Sequence, residues 1–287
     1  MSESGSGAGS AMFSALRRCV VTVACALKRL TRPIEGYGPH TWRLGFPWFD
    51  DPRRLLIGAA VVAAIFIFGM IFIDAAATNA VQHLAHRVVW FFDWITDFGK
   101  SGWFLWPLGI LFLLLAALPQ TLSAMSRAVV AAVMVRVGFL FVAIGAPGLF
   151  ASIVKNMIGR ARPGVGGSVN PALFDPFHWA PAYASMPSGH GTAAFAVLAA
   201  FGTLWPRART ALLIYALLIL ASRVVVRAHY PTDVALGALT GLIGVLLVRR
   251  WFGLQRLGFS IRPDGQLVQY PGPSPRRLKS VARELLA

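Results

Sequence analysis

The chain has 287 residues, 56% of them hydrophobic and only 13% charged, with a mean hydropathy of +0.64. That balance excludes an ordinary water-soluble domain and intrinsic disorder, and having only Cys19 and Cys25 excludes a disulfide scaffold. A formal charge of +16 would suit nucleic-acid binding in a soluble protein, but most of the Lys and Arg residues lie outside the apolar runs, so they are read as setting membrane orientation and no nucleic-acid partner is expected.

In chain order, the first ten residues are rich in Gly and Ser and predict a flexible tail. Cys19 to Leu27 is a short apolar stretch after Arg17 and Arg18, and Ala24-Cys25-Ala26 has the look of a signal-peptide cleavage site. Cleavage there would place Lys28, Arg29, Arg32, Arg43, Arg53 and Arg54 outside, against the positive-inside bias, so an amphipathic helix on the inner leaflet is the expectation. Six apolar runs follow: Leu55 to Ile73, Trp103 to Leu118, Ala128 to Phe150 with Arg136 inside it, Gly191 to Trp205, Ala211 to Ser222, and Val234 to Val248. About 20 residues of helix cross a hydrocarbon core. The last three runs fall short of that, and their setting argues for spans. Leu84 to Phe98, aromatic but carrying Arg87, Asp93 and Asp97, predicts an interfacial helix.

If all six runs span, nineteen Lys and Arg residues fall on the side of both termini and seven on the other. The bias predicts cytoplasmic termini, with loops 74–102, 151–190 and 223–233 outside a cytoplasmic (inner) membrane. The expected architecture is an all-α, polytopic membrane protein with six transmembrane helices and interfacial amphipathic helices. Residues 1–54 form a basic N-terminal segment, 55–248 the membrane domain and 249–287 a basic C-terminal tail.

Charged groups near a bilayer are costly and mark function. Loop 151–190 carries Lys155, Gly159-Arg160-Ala161-Arg162-Pro163 and Pro187-Ser188-Gly189-His190, and the next outer loop carries Arg223, His229 and Asp233. Lys155, Arg162 and Arg223 suit a tetrahedral oxyanion, and Ser188-Gly189 opens a helix whose free N–H groups extend an anion cradle. The four-residue spacing of His229 and Asp233 lets the carboxylate fix the imidazole tautomer, leaving His190 as a second, separate imidazole. Two histidines with three cations describe covalent phosphoryl transfer: one attacks phosphorus, the other protonates the leaving oxygen, and the cations hold the equatorial oxygens. This chemistry needs no metal or other cofactor.

At these residues the sequence resembles the type 2 phosphatidic acid phosphatase superfamily, which includes vanadium haloperoxidases. Lys155 with Arg162-Pro163, Pro187-Ser188-Gly189-His190, and Ser222-Arg223 with His229 and Asp233 match its three motifs in order and without departure. The resemblance covers roughly residues 55–248. It implies that His229 is the nucleophile oriented by Asp233, that His190 is the general acid, and that Lys155, Arg162, Ser188, Gly189 and Arg223 bind phosphate.

Arg160 and Arg227 match no motif position. They are expected at the rim of the pocket, touching lipid headgroups or a second phosphate. Arg136 is read as snorkelling or paired between helices, Asp175 as capping a turn, and the Gly164, Gly166, Gly167 cluster as a flexible substrate-facing loop. The expected activity is hydrolysis of a membrane lipid phosphate through a phosphohistidine, the lipid being phosphatidate, phosphatidylglycerol phosphate, undecaprenyl diphosphate or a lipid A phosphate. The rival readings are a vanadate-dependent haloperoxidase and a non-enzymatic lipid-phosphate-binding membrane protein.

Overall fold

The computed structural model describes residues 14, 16–22, 24, 51–118 and 121–286. The expected flexible tail and the basic residues Lys28, Arg29, Arg32 and Arg43 lie outside them, while residues 16–22, within and just before the predicted amphipathic stretch, are helical.

Asp51 caps the first long helix, α1 (Pro52–Phe72), by accepting from Arg53 N at 2.9 Å, and Pro52 supplies the preset φ of a first helical residue. With 21 residues, α1 is about 31 Å long, enough for one crossing. A kink at Ile73 leads into α2 (Asp74–Val81), followed by α3 (His86–Thr96), where the sequence predicts an interfacial helix, and α4 (Gly102–Ala116). α5 (Ala124–Ile158) has 35 residues, about 52 Å at 1.5 Å per residue, so it is longer than a hydrocarbon core is thick. Next come α6 (Gly189–Leu204), α7 (Arg209–Val225) and α8 (Pro231–Leu254). The C-terminal segment is not a bare tail. α8 runs on past the predicted boundary at 248, a short antiparallel hairpin follows, β1 (Phe259–Ile261) with β2 (Leu267–Gln269), and α9 (Pro275–Leu286) completes the chain.

Among the described residues five helical segments are long and apolar enough to cross a membrane: Pro52–Phe72, His86–Ala116, Ala124–Ile158, Pro206–Val225 and Pro231–Leu254. The remaining expected span, α6, is apolar but has only 16 residues. Its composition explains its place. Ala193, Ala194, Ala196, Val197 and Ala200 are all buried, so α6 is wrapped by protein on most sides. Gly237 and Gly241 of α8 let it approach closely. A Cβ on Gly237 would lie 2.5 Å from the Ser188 carbonyl oxygen, and one on Gly241 2.4 Å from that of Thr192. Small residues four apart are how membrane helices bring their backbones together.

By internal contacts the chain forms two compact units. One contains residues 106–141 and 250–286 with the described N-terminal residues. Here Phe139 packs edge-on to Phe252 and Phe259, at 5.4 and 4.9 Å between centroids. The Arg136 guanidinium donates to the carbonyls of Ala132, Tyr270 and Pro271 at 2.7 to 2.9 Å, fastening the segment after the hairpin. Glu284 accepts from the Ser123 N–H and from the Ser123 and Ser126 hydroxyls, an acid at the positive end of α5. The other unit, residues 43–105 and 142–249, contains every candidate site residue.

Candidate active site

α5 ends where the chemistry begins. Lys155 lies in its last turn, and Gly159 stops the helix with φ +64, in a place where a Cβ would sit 1.8 Å from the Asp175 carbonyl oxygen. Only glycine fits that reversal. Beyond it the chain is pinned by Ala161 N to Leu173 O at 3.0 Å, Arg162 N to Ala182 O at 2.8 Å and Ser185 N to Arg160 O at 3.1 Å. These bonds pin the segment that carries Arg160 and Arg162, although it belongs to no helix or regular strand.

Arg160 contradicts the expectation of a rim residue. It is fully buried: Nη2 donates to Asp74 Oδ2 at 2.7 Å, Nη1 to Asp233 Oδ1 at 2.5 Å and to Thr232 Oγ1 at 2.8 Å, and Nε to the Pro171 carbonyl at 3.0 Å. Its guanidinium stacks 4.5 Å from the centre of the Tyr230 ring. Asp74, also fully buried, accepts from Thr232 N at 3.0 Å and Thr232 Oγ1 at 2.5 Å and so caps the start of α8. One cation thus holds two carboxylates from distant parts of the chain. A headgroup or second phosphate cannot reach it.

Asp233, in the first turn of α8, has its other oxygen fully engaged, Oδ2 accepting from Ser185 Oγ at 2.5 Å and from Tyr230 N at 2.9 Å. The direct Asp233–His229 hydrogen bond expected from the four-residue spacing is not made. His229 Nδ1 is 3.9 Å from Asp233 Oδ2 but 3.3 Å from Ser185 Oγ. The physical reason is that His229 precedes α8 instead of lying on it, so the helical i, i+4 geometry does not apply and Ser185 fills the gap.

His229 is buried, and its pKa lies well below the ordinary histidine value, chiefly through burial and then through the charges of Arg223, Arg162 and His190, which are close enough to oppose its protonation. The neutral ring is the form that can attack. Arg223, in the last turn of α7, donates from Nη1 to Thr96 Oγ1 at 2.7 Å, while its Nε and that of Arg162 are buried without a hydrogen-bond partner among the described residues. Buried orphan donors are rare and costly, and two guanidinium groups carrying them beside a neutral imidazole suit an incoming oxyanion. Burial also lowers the Arg162 pKa, and Lys155 lies within electrostatic reach of Arg162. Ser188 caps α6, which starts where the sequence predicts a helix to open, accepting from Gly191 N at 3.3 Å, and its own N–H donates to the Asp233 carbonyl at 3.0 Å. Gly189 and His190 then open the helix at its positive end.

Of the sequence-predicted residues, Lys155, Arg162, Ser188, Gly189, His190, Arg223, His229 and Asp233 converge in this unit. Arg160 lies behind them. Arg227 is exposed, with φ +54, and lines a cavity with Pro163, Thr78 and Asn79. Asp175 pairs with His178 at 2.6 Å on the surface. Sequence reasoning missed Ser185, Thr96, Thr232 and Asp74. Only Asp74 carried a signal, a lone acid ending an apolar run.

A family model of the PAP2 superfamily matches residues 136–257, a range that holds all three motifs. The chain is similar to a "Lipid A 1-phosphatase" of Rhizobium johnstonii, 34% identical over 207 residues that cover 72% of this chain and 82% of that protein. It is likewise similar to a "Lipid A 1-phosphatase" of Rhizobium etli, 37% identical over 172 residues, 60% of this chain and 74% of that one. No solved structure matches. A helical membrane protein with a cationic, two-histidine pocket and relatives of this identity along most of their length leaves one assignment: the chain belongs to the PAP2 superfamily and is a membrane lipid phosphatase.

Proposed function

We propose that this protein removes a phosphate from a sugar-borne lipid phosphate of the lipid A type, through a phosphohistidine on His229, at the external face of the inner membrane. The observation that carries the chemistry is the neutral, buried His229, tethered at Nδ1, beside the orphan guanidinium donors of Arg162 and Arg223. The substrate class is taken from the relatives. Charge bias along the sequence supports six spans with both termini cytoplasmic, α6 being the short sixth, and a phosphatase domain over residues 55–248.

The hydrogen bonds suggest the tautomer. Ser185 Oγ–H donates to Asp233, so its oxygen accepts Nδ1–H of His229, and the lone pair is left on Nε2. Nε2 attacks phosphorus while the bond from phosphorus to the lipid oxygen breaks, and His190 gives its proton to that oxygen. Lys155, Arg162, Arg223 and the N–H groups at the start of α6 hold the three equatorial oxygens, where charge is present throughout the transfer. As His229 becomes cationic, Asp233 stabilises it through Ser185. Water, deprotonated by His190, then attacks the phosphohistidine, releasing inorganic phosphate and restoring both rings. The test is phosphate release by the purified protein in detergent from an acylated glucosamine 1-phosphate, phosphatidate, phosphatidylglycerol phosphate and undecaprenyl diphosphate. Turnover of the sugar phosphate, surviving EDTA and inhibited competitively by vanadate, is expected. Activity lost in EDTA and restored by magnesium or zinc would contradict the mechanism.

A further inference from the structure

The same unit holds a cavity of about 620 Å³, lined among others by Thr78 and Asn79 of α2, Gln82 just after it, Ser168 of the glycine-rich loop, and Val226 and Arg227 of the turn before His229. Pro163, also in its wall, directly follows Arg162, and Arg227 precedes His229 by two residues, with adjacent Cα atoms about 3.8 Å apart. Two wall residues are thus close chain neighbours of Arg162 and His229 in the candidate site.

The lining is polar and hydrogen-bonding: two hydroxyls, two carboxamides and the single cation Arg227, with no carboxylate. The amides are little used by the protein itself, Gln82 Nε2 reaching Asn79 Oδ1 at only 3.4 Å. Gly164 and Gly167 keep their part of the wall bare, with φ of +90 and +84. Arg227 takes a left-handed backbone that glycine or asparagine would adopt with less strain. It is held there while Ala228 N and His229 N both donate to the Arg223 carbonyl, at 3.1 and 3.2 Å. That volume is within the range of small-molecule sites, whose few polar groups set orientation and choice.

We infer that this cavity is the subsite for the uncharged, hydroxyl- and amide-bearing ring that carries the scissile phosphate, an acylated amino sugar, and that Asn79 and Gln82 read its hydroxyl and amide groups. The inference rests on the phosphatase reading above and gives it a specificity determinant. Phosphatidate places ester-linked chains directly beyond its phosphate and a polyprenyl diphosphate places hydrocarbon there, so neither supplies partners for these amides. A site built to hydrogen-bond a substrate rejects analogues that lack the matching groups.

The test compares the wild-type full chain with Asn79→Ala/Gln82→Ala, and separately with Ser168→Phe, which fills the cavity from its loop. All are purified in detergent and assayed on an acylated glucosamine 1-phosphate, phosphatidate and an aryl phosphate. Both variants should raise KM for the sugar lipid by about tenfold or more with kcat little changed, and alter kcat/KM on the other two by less than about twofold. Equal losses on all three substrates, or a wild type that favours phosphatidate over the sugar lipid, would overturn the subsite while leaving the phosphatase reading intact. A wild type that releases phosphate from none of them would overturn both.

Discussion

Replacing Arg160 by Met tests whether the buried ion triad holds His229, the proposed nucleophile, in place. The substitution keeps the stem but removes the guanidinium that joins Asp74 at 2.7 Å and Asp233 at 2.5 Å, both fully buried. Asp74 keeps its two bonds from Thr232, and Asp233 keeps those from Ser185 and Tyr230, yet the charge opposing both is gone. Stranding a buried charge in this way costs about 3–5 kcal/mol. At roughly 2–4 °C per kcal/mol for a chain of this size class, the melting temperature in detergent should fall by about 6–20 °C. Asp233 should take up a proton or move, losing its hold on Ser185, and kcat should fall by about a hundredfold or more. Adding Asp74→Asn removes one stranded charge and restores the net charge of the native cluster, so Arg160→Met/Asp74→Asn should recover about 0.5–3 kcal/mol of the loss. The assay is thermal unfolding and initial-rate kinetics on all three proteins. A melting temperature within about 2 °C of wild type, with kcat unchanged, would refute the triad and return Arg160 to the surface, where substitutions usually matter little.

The two histidines proposed as catalytic should fail differently. His229→Ala should abolish turnover of every substrate, while His190→Ala should keep more activity on an aryl phosphate, whose leaving group needs no proton, than on a lipid phosphate; equal losses would argue against separate roles. Ser185→Ala removes the bridge between His229 and Asp233, and should lower kcat by about tenfold to a hundredfold with KM nearly unchanged, read by steady-state kinetics. Because folding holds His229 neutral, its contribution to stability is complete above about pH 6.5, the unfolded value, and is lost as pH falls from there toward the lower folded pKa. The wild-type melting temperature should therefore drop more steeply below pH 6.5 than that of His229→Gln, and matching slopes would contradict the assignment.

Much of the site was legible in the sequence because its chemistry sits in short segments whose order along the chain fixes which side they share. Lys155, Arg162, His190 and Arg223 are at or near helix ends, where spacing alone brings them together. Arg160 was not legible. It stands two residues from Arg162 on the same segment, and what sets it apart is its buried partners Asp74, Thr232 and Asp233, which come from other parts of the chain. Asp74 and Ser185 were hidden for the same reason, since each acts on a partner from another part of the chain. Helix α6 is as short as its apolar run in the sequence, since a helix enclosed by other helices can be shorter than one that faces lipid. In the C-terminal segment a high density of Arg and Lys masked the hairpin and α9, both anchored by Arg136 and Glu284 from positions that hydropathy reads only as charges.

The central claim is that His229 carries the phosphoryl group, and trapping that group tests it most directly. Purified wild type and the His190→Ala variant, each mixed with a ³²P-labelled aryl phosphate and quenched in alkali, where phosphohistidine persists, would be digested and the labelled peptide identified. The account predicts label on the peptide containing His229, more of it in the His190→Ala protein because hydrolysis of the intermediate is slowed, and none in His229→Ala. Turnover without label on any histidine, or label on His190 in the wild type, would contradict it.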